Sequence, residues 1–295
     1  MKQRNEMRKN IRKVGIIANS TKASAVEYTC HLSEWLRDRK VDVFLDEEIA
    51  GKIESRNGVK RDDMVSRVDM IVVFGGDGTL LMASRSIRGL DVPIVGINLG
   101  GFGFMTVVNL NEIFDAMEII LEGDYRITKR MMLDVVLESD DEQSLTQSVL
   151  NDVVIMRGNL SHMINLETFV DDKYLTTFKA DGLIISTPTG STAYSLSAGG
   201  PIVLPDLNSI IINPICPHTL TNRPIMLSPD VAVRVVLCTE DDCAAVTLDG
   251  QLSAMIKPGD TIKVSRSQYY INLIDSPYHD YLEIIRTKLG WGGSP

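Results

Sequence analysis

The chain has 295 residues, of which 44% are hydrophobic and 23% charged, an ordinary globular composition at a length typical of two domains. Thirty basic and 39 acidic residues give a net charge of −9, which argues against a general nucleic-acid or anionic-membrane binder. Residues 1–13 are the exception, with six basic side chains and one acidic one. Because neither an apolar run of roughly 20 residues nor a signal-peptide core is present, we expect a cytoplasmic protein.

The spacing of cysteine and histidine indicates neither a disulfide framework nor a dedicated metal site. The four cysteines include no C-x-x-C pair, and the four histidines form no H-x-x-x-H spacing. We therefore expect reduced, mostly buried thiols and assign no residue as a metal ligand. A divalent cation, where one is needed, arrives with its ligand.

The first part of the chain alternates strand-like and helix-like patterns. Apolar runs predict buried strands at 14–18, 41–45, 70–74 and 92–97. Helical spacing predicts helices at 23–39, from residue 80 onward and at 110–121. The polar stretch 47–67 is predicted to be a loop with a short helix. Strands joined by helical crossovers predict an open parallel sheet.

The pattern then changes to closely spaced strand candidates. They lie at 132–137, 148–156, 164–170, 175–178, 183–186, 210–212, 231–237, 244–248, 261–264 and 270–274. Asp171-Asp172 and Asp249-Gly250 are predicted hairpin turns, and Asp-Gly suits type I′. Residues 281–289 return to helical spacing.

These patterns predict two domains. Residues 1–122, with the tail 276–295, are expected to form an α/β domain with a parallel sheet. Residues 123–275 are expected to form an all-β, sandwich-like domain.

The segment Gly75-Gly76-Asp77-Gly78-Thr79 joins a buried strand to a helix. Glycines at a helix N-terminus allow a ligand to approach backbone N–H groups, so Gly75, Gly76, Gly78 and Thr79 are predicted to cradle a phosphate. No Walker loop occurs, and no G-x-G-x-x-G follows the first strand, which disfavours hydride chemistry. Asp77, at the carboxyl end of a parallel strand, could accept a hydroxyl proton or help hold a metal. The alternative is that Asp77 caps the helix.

A second polar cluster lies at 181–201. Seven Ser or Thr residues fall between Ser186 and Ser197, and the ring of Tyr194 suits a base or ribose. The alternative is that these hydroxyls bond to their own backbone, but their density beside Asp181 favours a ligand site.

Two further features are ligand candidates. The polar pair Asn151-Asp152 interrupts a strand-like run, which favours a hydrogen-bonded ligand, although a strand edge or bulge explains it equally well. His218 lies among turn residues and is an additional candidate, although a lone histidine is more often structural.

Taken together, these segments resemble the NAD kinase family. The resemblance rests on GGDGT, Asn151-Asp152, the segment 181–201, the PICPHTL segment around His218 and Asp249-Gly250-Gln251. It runs from about residue 14 to 274. GGDGT alone is shared with lipid kinases and phosphofructokinases, so the segment 181–201 is the specific part.

The resemblance implies an enzyme that transfers phosphate from ATP to the adenosine ribose 2′-hydroxyl of NAD⁺, giving NADP⁺ and ADP. It implies an active site between two domains and a homodimer or homotetramer. Asp77 takes the general-base position and Gly78 contacts the dinucleotide. Other residues fall on the family's dinucleotide contacts: Asn151, Asp152, His162, Lys179, Asp181, Thr192, Ala193, Tyr194, Ser195, Leu196, Ser197 and Gln251. Asp152 replaces the more usual Glu, and Gly101 replaces a larger polar or basic residue.

Because phosphoryl transfer depends on positioning and charge neutralisation, we expect Mg²⁺ to bridge the donor phosphates. The expected partners are the small molecules NAD⁺ and ATP, with no nucleic acid and no membrane. Two alternatives stay open from the sequence. One is a lipid or sugar kinase with the same cradle, and the other is a non-catalytic sensor of NAD(H).

Overall fold

The computed structural model describes residues 11–55, 58–87, 89–101, 103–139, 145–158, 162–239 and 243–291, so most of the basic segment 1–13 lies outside the described residues. The chain divides into two compact units. The first is Met1–Thr128 with Ile271–Pro295, and the second is Lys129–Tyr270. Within the described ranges, no helix combines the length and the apolar character needed to cross a membrane.

The first unit is built on a parallel sheet with helices between its strands. Its elements are β1 (Lys13–Ala18), α1 (Ala23–Asp38), β2 (Asp42–Asp46), α2 (Glu47–Lys52), β3 (Gly58–Val59), α3 (Arg61–Val65), β4 (Met70–Gly75), α4 (Asp77–Ile87), β5 (Ile94–Asn98), β6 (Val108–Asn109) and α5 (Ile113–Leu121). The strand order β5-β4-β1-β2-β3 is parallel throughout. Strands covered on both faces need continuous apolar runs, and all of β4 is buried.

The predicted loop at 47–67 contains more structure than its polar sequence suggested. It holds α2, β3 and α3. Asp46 caps α2 by accepting from the N–H of Glu48, and the Arg61 guanidinium lies 2.6 Å from the Asp46 carboxylate. Local polar contacts organise this segment, so apolar periodicity did not reveal its elements.

The second unit consists mainly of antiparallel strands, and the first and last of them extend a few residues past its bounds. Its elements are β7 (Ile127–Glu138), β8 (Leu145–Val149), β9 (Asp152–Arg157), β10 (Ile164–Val170), β11 (Lys173–Ala180), β12 (Gly182–Ser186), α6 (Tyr194–Ser197), β13 (Ile210–Ile215), β14 (Ile225–Leu227), β15 (Val233–Leu237), β16 (Ala244–Leu248), β17 (Leu252–Ile256) and β18 (Thr261–Ile274). Six of them form one sheet in the order β14-β13-β12-β9-β16-β17. Strands β11, β10, β15 and β18 are neighbours in the other. One apolar core is shared by residues of both sets, among them Ile155 and Val235, which confirms the sandwich-like prediction.

The chain then returns to the first unit in α7 (Tyr281–Leu289), the helix predicted for the tail. Asp280 caps this helix by accepting from the N–H of Glu283, and Gly290 ends it with a φ of 64°.

The turn predictions are confirmed, whereas several strand bounds were wrong. Asp171-Asp172 and Asp249-Gly250 have positive φ at both positions, as type I′ hairpins require. The run 148–156 is two strands, and the two runs between 261 and 274 are one strand, β18, whose middle is polar and largely exposed. Strands β14 and β17 were not predicted because they lie at the edges of their sheet and lack a buried apolar alternation.

All four cysteines are free thiols. The expectation that they are mostly buried was wrong, because Cys216, Cys238 and Cys243 are exposed.

Candidate active site

Asp77 is the first residue of α4 and is held by the loop that follows β5. Its Oδ1 accepts from the N–H groups of Met105 (3.0 Å) and Thr106 (3.2 Å) and from the Thr106 hydroxyl (3.3 Å). Its Oδ2 accepts from the N–H of Phe104 (2.9 Å). The carboxylate therefore binds this loop rather than capping its own helix. Within the described part of the chain Oδ2 has a single donor, so a lone pair is left for another hydrogen bond.

Asn98, at the carboxyl end of β5, shapes the same loop. It is 7% exposed, and its Oδ1 accepts from the N–H groups of Gly100 (2.8 Å) and Gly101 (2.9 Å). Its amide donates to the hydroxyl of Thr106 (3.3 Å), which in turn contacts Asp77. Parallel neighbours β4 and β5 thus bring Asp77 and Asn98 to one edge of the sheet, where open α/β sheets bind ligands.

The glycines around Asp77 fall into two groups. Gly75 and Gly103 are required by packing, because a Cβ would collide with the Thr79 side chain at the first and with Asp77 Oδ1 at the second. In the other group a Cβ would meet nothing within 4 Å, and none of its members has a left-handed φ: Gly76, Gly78, Gly100 and Gly101. Neither backbone conformation nor packing requires these four glycines, so the space beside them is open to a ligand.

Thr79 contributes less to the predicted phosphate cradle than expected. Its N–H donates to the carbonyl of Gly76 at 3.0 Å, and its side chain packs against Gly75. A phosphate contact from Thr79 would therefore have to come from its hydroxyl.

In the second unit, a single carboxylate binds three successive peptide N–H groups. Asp249, 5% exposed, accepts from Leu150 at Oδ2 (2.9 Å) and from Asn151 (2.7 Å) and Asp152 (3.2 Å) at Oδ1. The N–H of Asp249 donates to the carbonyl of Asp152 at 3.0 Å. This clamp is the physical reason for the break between β8 and β9, because the carboxylate takes the N–H groups of the residues at the break.

The segment after β12 binds the carbonyl groups of the same break. The hydroxyl of Thr187 donates to Leu150 (2.6 Å), and the N–H of Thr187 donates to Asn151 (2.9 Å). The Ser186 hydroxyl also donates to the Asn151 carbonyl (3.2 Å), against which a Cβ on Gly190 would collide. The backbone of residues 150–152 is therefore fully hydrogen-bonded.

The side chains at this break are buried, and one of their polar atoms has no hydrogen-bond partner within the described ranges. Asn151 is 8% exposed, and within the described ranges its Oδ1 has no hydrogen-bond partner. Asp152 is 4% exposed, and burial raises the pKa of its carboxyl to about 7, with the charge of Asp249 adding to the effect. Buried polar groups are normally paired, so these two side chains are suited to the polar groups of a ligand.

Most hydroxyls of the segment 181–201 already have hydrogen-bond partners in the protein. Four of its seven hydroxyls donate to nearby carbonyls, those of Ser186, Thr187, Ser191 and Thr192. The Ser195 hydroxyl is buried and lies 3.4 Å from the amide of Asn213. The alternative interpretation of the sequence, in which the hydroxyls bond to their own backbone, holds for Ser191 and Thr192, which stabilise the 3-10 turn Thr189–Thr192. Ser186 and Thr187 also bind the carbonyls of the strand break.

The remaining residues of this segment differ in exposure. Tyr194 is exposed, and its hydroxyl lies 3.9 Å from the sulfur of Met156. Ala193 and Leu196 are half-buried, and Ser197 is exposed.

Asp181 and Lys179 flank the junction of β11 and β12. The Asp181 carboxylate lies 3.1 Å from the guanidinium of Arg157. The N–H of His218 donates to the carbonyl of Lys179 (2.9 Å), and both of these side chains are exposed.

Two further predicted residues lie in connections between strands. His162 is exposed between β9 and β10, and Gln251 is exposed in the turn between β16 and β17. No group of three or more His, Cys, Asp or Glu residues is placed to hold a metal ion within the described ranges.

Comparison with known families decides the assignment. Residues 14–125 match the ATP-NAD kinase N-terminal domain, and residues 150–276 match the ATP-NAD kinase C-terminal domain. This chain belongs to the NAD kinase family. It is therefore a phosphotransferase, and the resemblance drawn from the sequence is confirmed.

Curated relatives agree over nearly the whole length. The chain is 46% identical to the NAD kinase of Geotalea daltonii over 282 residues, covering 96% of this chain and 99% of that protein. It is 45% identical to the NAD kinase of Geobacter metallireducens with the same coverage.

Solved structures show the same fold. Yeast NADH kinase complexed with NADH aligns with a TM-score of 0.89 at 28% identity, covering 97% of this chain and 89% of that one. An Archaeoglobus fulgidus NAD kinase in complex with ATP aligns with a TM-score of 0.72 at 24% identity, covering 94% of this chain and 97% of that one. At this lower identity the second likeness concerns the fold alone.

In this member of the NAD kinase family, sequence reasoning missed three residues that organise the site. Asn98 and Thr106 link the loop after β5 to Asp77, and Arg157 pairs with Asp181. A signal for Asn98 was present, because this polar residue directly follows the predicted buried strand 92–97 and stands two positions before the pair Gly100-Gly101. Arg157 carried no such signal, since its partner is 24 positions away in the sequence.

Proposed function

We propose that this chain transfers the γ-phosphoryl group of ATP to the adenosine ribose 2′-hydroxyl of NAD⁺, giving NADP⁺ and ADP, with Asp77 as the general base. The observation that carries the proposal is the Asp77 carboxylate, fixed by four hydrogen bonds beside glycines with open space around them. Relatives named NAD kinase and the yeast NADH kinase complex support the same substrate class.

The two oxygens of Asp77 have different tasks in this proposal. The three donors on Oδ1 hold the carboxylate in place, while Oδ2 has a lone pair that accepts the proton of the 2′-hydroxyl. As that proton leaves, the ribose oxygen bonds to the γ-phosphorus and the bond to the β-phosphate oxygen breaks, releasing ADP. The N–H groups near Gly76 and Gly78 lie at the N-terminus of α4, where phosphate oxygens are stabilised.

The divalent cation of the proposal is Mg²⁺ carried by the ATP phosphates. It supplies charge neutralisation on the phosphate oxygens. The GGDGT segment has a carboxylate as its one charged side chain, so its own residues contribute no positive side-chain charge to a triphosphate. Excess chelator should therefore abolish turnover, and added Mg²⁺ should restore it.

The second unit is proposed to bind the dinucleotide. Asn151 and Asp152 are the ribose-binding pair, supported by their burial and by Oδ1 of Asn151, which has no partner among the described residues. The further proposed contacts are Gly78, His162, Lys179, Asp181, Thr192, Ala193, Tyr194, Ser195, Leu196, Ser197 and Gln251, with His218 as an additional candidate. A cytoplasmic homodimer or homotetramer, with the domain division 1–122 plus 276–295 and 123–275, completes the proposal.

The test is incubation of the purified chain with NAD⁺, ATP and Mg²⁺, followed by a dehydrogenase readout specific for NADP⁺. We expect NADP⁺ and ADP in equal amounts. Parallel reactions with diacylglycerol, sphingosine or fructose 6-phosphate as acceptors should give none. Binding of NAD⁺ without ATP consumption would identify a sensor and would contradict the proposal.

A further inference from the structure

Asp249 is a buried carboxylate whose interactions exceed what its turn requires. Asp171 occupies the same position in the other type I′ hairpin, with a φ of 48° against 51° at Asp249. Asp171 is exposed and accepts one N–H, that of Ala232 at 2.9 Å. Asp249 is 5% exposed and accepts three, so the type I′ turn alone does not explain its environment.

We propose that Asp249 is a positioning residue for the dinucleotide site, because it holds the peptide N–H groups of residues 150–152 and thereby fixes Asn151 and Asp152. The proposal rests on the proposed function, in which these two side chains bind a ribose of NAD⁺.

The position of the clamp supports this assignment. In an unbroken strand, successive side chains point to opposite faces, and the N–H groups belong to the ladder. The break between β8 and β9 removes both constraints at Asn151. Such a break is stable only when its buried N–H groups find acceptors, and Asp249 supplies all three. Within the part of the chain that the structure describes, Oδ1 of Asn151 has no partner, so the clamp satisfies the backbone and leaves this side-chain oxygen available.

The charge of Asp249 also acts on its neighbour. On the β12 side, Asp152 pairs with the uncharged Ser186, and on the other side it faces Asp249. Within the described ranges, Asp249 is the one charged side chain that acts on the Asp152 carboxyl. With burial as the main cause and Asp249 as the second, the pKa of Asp152 is raised to about 7. Ribose hydroxyls donate to the ionised carboxylate, so binding of NAD⁺ should release a proton near neutral pH.

The test compares wild type with Asp249→Asn and with the matched control Asp171→Asn. Asparagine tolerates the left-handed turn, but its NH₂ group would replace Oδ2 and face the N–H of Leu150. Isothermal titration with NAD⁺ alone should show affinity reduced about tenfold in Asp249→Asn, and kinetics should show a raised KM for NAD⁺ with the KM for ATP unchanged. The Asp171→Asn variant should match wild type.

Two readouts separate positioning from general destabilisation. Hydrogen exchange should be faster at the amides of residues 150–152 in Asp249→Asn, while the rest of β9 keeps its protection. The pH midpoint of NAD⁺ affinity, near 7 in wild type, should shift to lower pH because the neighbouring charge is gone. Normal NAD⁺ affinity with an unshifted midpoint in Asp249→Asn would overturn the inference.

A separate result would contradict the proposed function. If Asp152→Asn and Asn151→Ala bind NAD⁺ like wild type, the ribose-binding role itself is wrong. If these two are impaired while Asp249→Asn is normal, only the positioning role fails. If Asp249→Asn does not fold, wild type is titrated with NAD⁺ in buffers of different ionisation enthalpy, which measures the number of protons released on binding. Absence of proton release at pH 7 would contradict the proposed effect of Asp249 on the protonation of Asp152.

Discussion

Two aspartates, one in each unit, each accept hydrogen bonds from the N–H groups of three successive residues. Asp77 accepts the N–H groups of residues 104–106, and Asp249 accepts those of residues 150–152. The two carboxylates differ in how far they are exposed. Asp77 is half-buried and has glycines with open space nearby, whereas Asp249 is almost fully buried. The same hydrogen-bond pattern can therefore present a reactive carboxylate at one place and support the backbone at another, depending on whether an oxygen remains accessible.

The comparison is tested most strongly by Asp77→Asn. Removing the proposed proton acceptor should lower kcat by about 10²–10⁴-fold, while NAD⁺ affinity stays within a few-fold of wild type. Asp249→Asn should instead mainly raise the KM for NAD⁺ and change kcat little. Single-turnover kinetics and direct titration measure the two effects separately.

The control for Asp77→Asn is Thr106→Val. It removes one hydrogen bond from Oδ1 but leaves the carboxylate and its charge. We expect a several-fold loss of kcat, in line with one lost hydrogen bond of about 1 kcal/mol. Near wild-type turnover in Asp77→Asn would remove the distinction between the two aspartates.

The second effect concerns stability in the unit that contains Asp249. Because the pKa of Asp152 is raised to about 7 by burial and by Asp249, against about 4 in an unfolded chain, folding favours its protonated form. The resulting stability is complete below pH 4 and is lost as pH rises through 7. Wild type should lose on the order of 2–4 kcal/mol over this range relative to Asp152→Asn. Urea unfolding at pH 5 and pH 8 measures it, with Asp171→Asn as the control, and parallel pH profiles of wild type and Asp152→Asn would contradict it.

The open space beside Asp77 is tested by Gly78→Ala. A Cβ there meets nothing within 4 Å, and alanine favours a helix by about 1 kcal/mol. We expect an unchanged or higher melting temperature together with a KM for ATP raised about tenfold. Gly75→Ala, whose Cβ would collide with Thr79, should instead destabilise the fold by about 1–3 kcal/mol. A normal KM for ATP in Gly78→Ala would mean that the open space serves no ligand.

The smallest effect is expected at a third carboxylate, Glu112, which contacts Asn109 and His279. It accepts from the N–H of Asn109 (2.9 Å) and lies 3.0 Å from Nε2 of His279, whose Nδ1 lies 3.3 Å from Glu283. Burial alone would lower the pKa of His279, but its hydrogen bonds to Glu112 and Glu283 outweigh burial and raise it.

The stabilisation from this cluster is therefore present below about pH 6.5 and is lost as pH rises through the raised pKa of His279. His279→Ala should cost up to about 1 kcal/mol more at pH 5.5 than at pH 8.5. Thermal unfolding at both values measures this difference, and turnover should not change. Equal costs at the two pH values would show that the contact is not an ion pair.

Much of the fold followed from apolar patterning. Continuous apolar runs predicted β1, β2, β4 and β5 of the parallel sheet, and Asp-Gly predicted the β16–β17 turn, because these signals reflect burial and backbone conformation at neighbouring positions. Segment 47–67 and the edge strands β14 and β17 carried no such signal. Their structure depends on polar contacts and on pairing with residues distant in the sequence.

For the site, the sequence by itself identified the family, the glycine-rich turn with Asp77, and the polar pair Asn151-Asp152. These are local features, since residue type and spacing determine which groups can bind a phosphate or a hydroxyl. Only the tertiary structure decided which hydroxyls are already bonded and which side chains lack a partner. It also decided that Asp249, 97 positions from Asp152, lies against it. Hydrogen bonding and burial depend on neighbours that folding brings together, and a single sequence does not specify those neighbours.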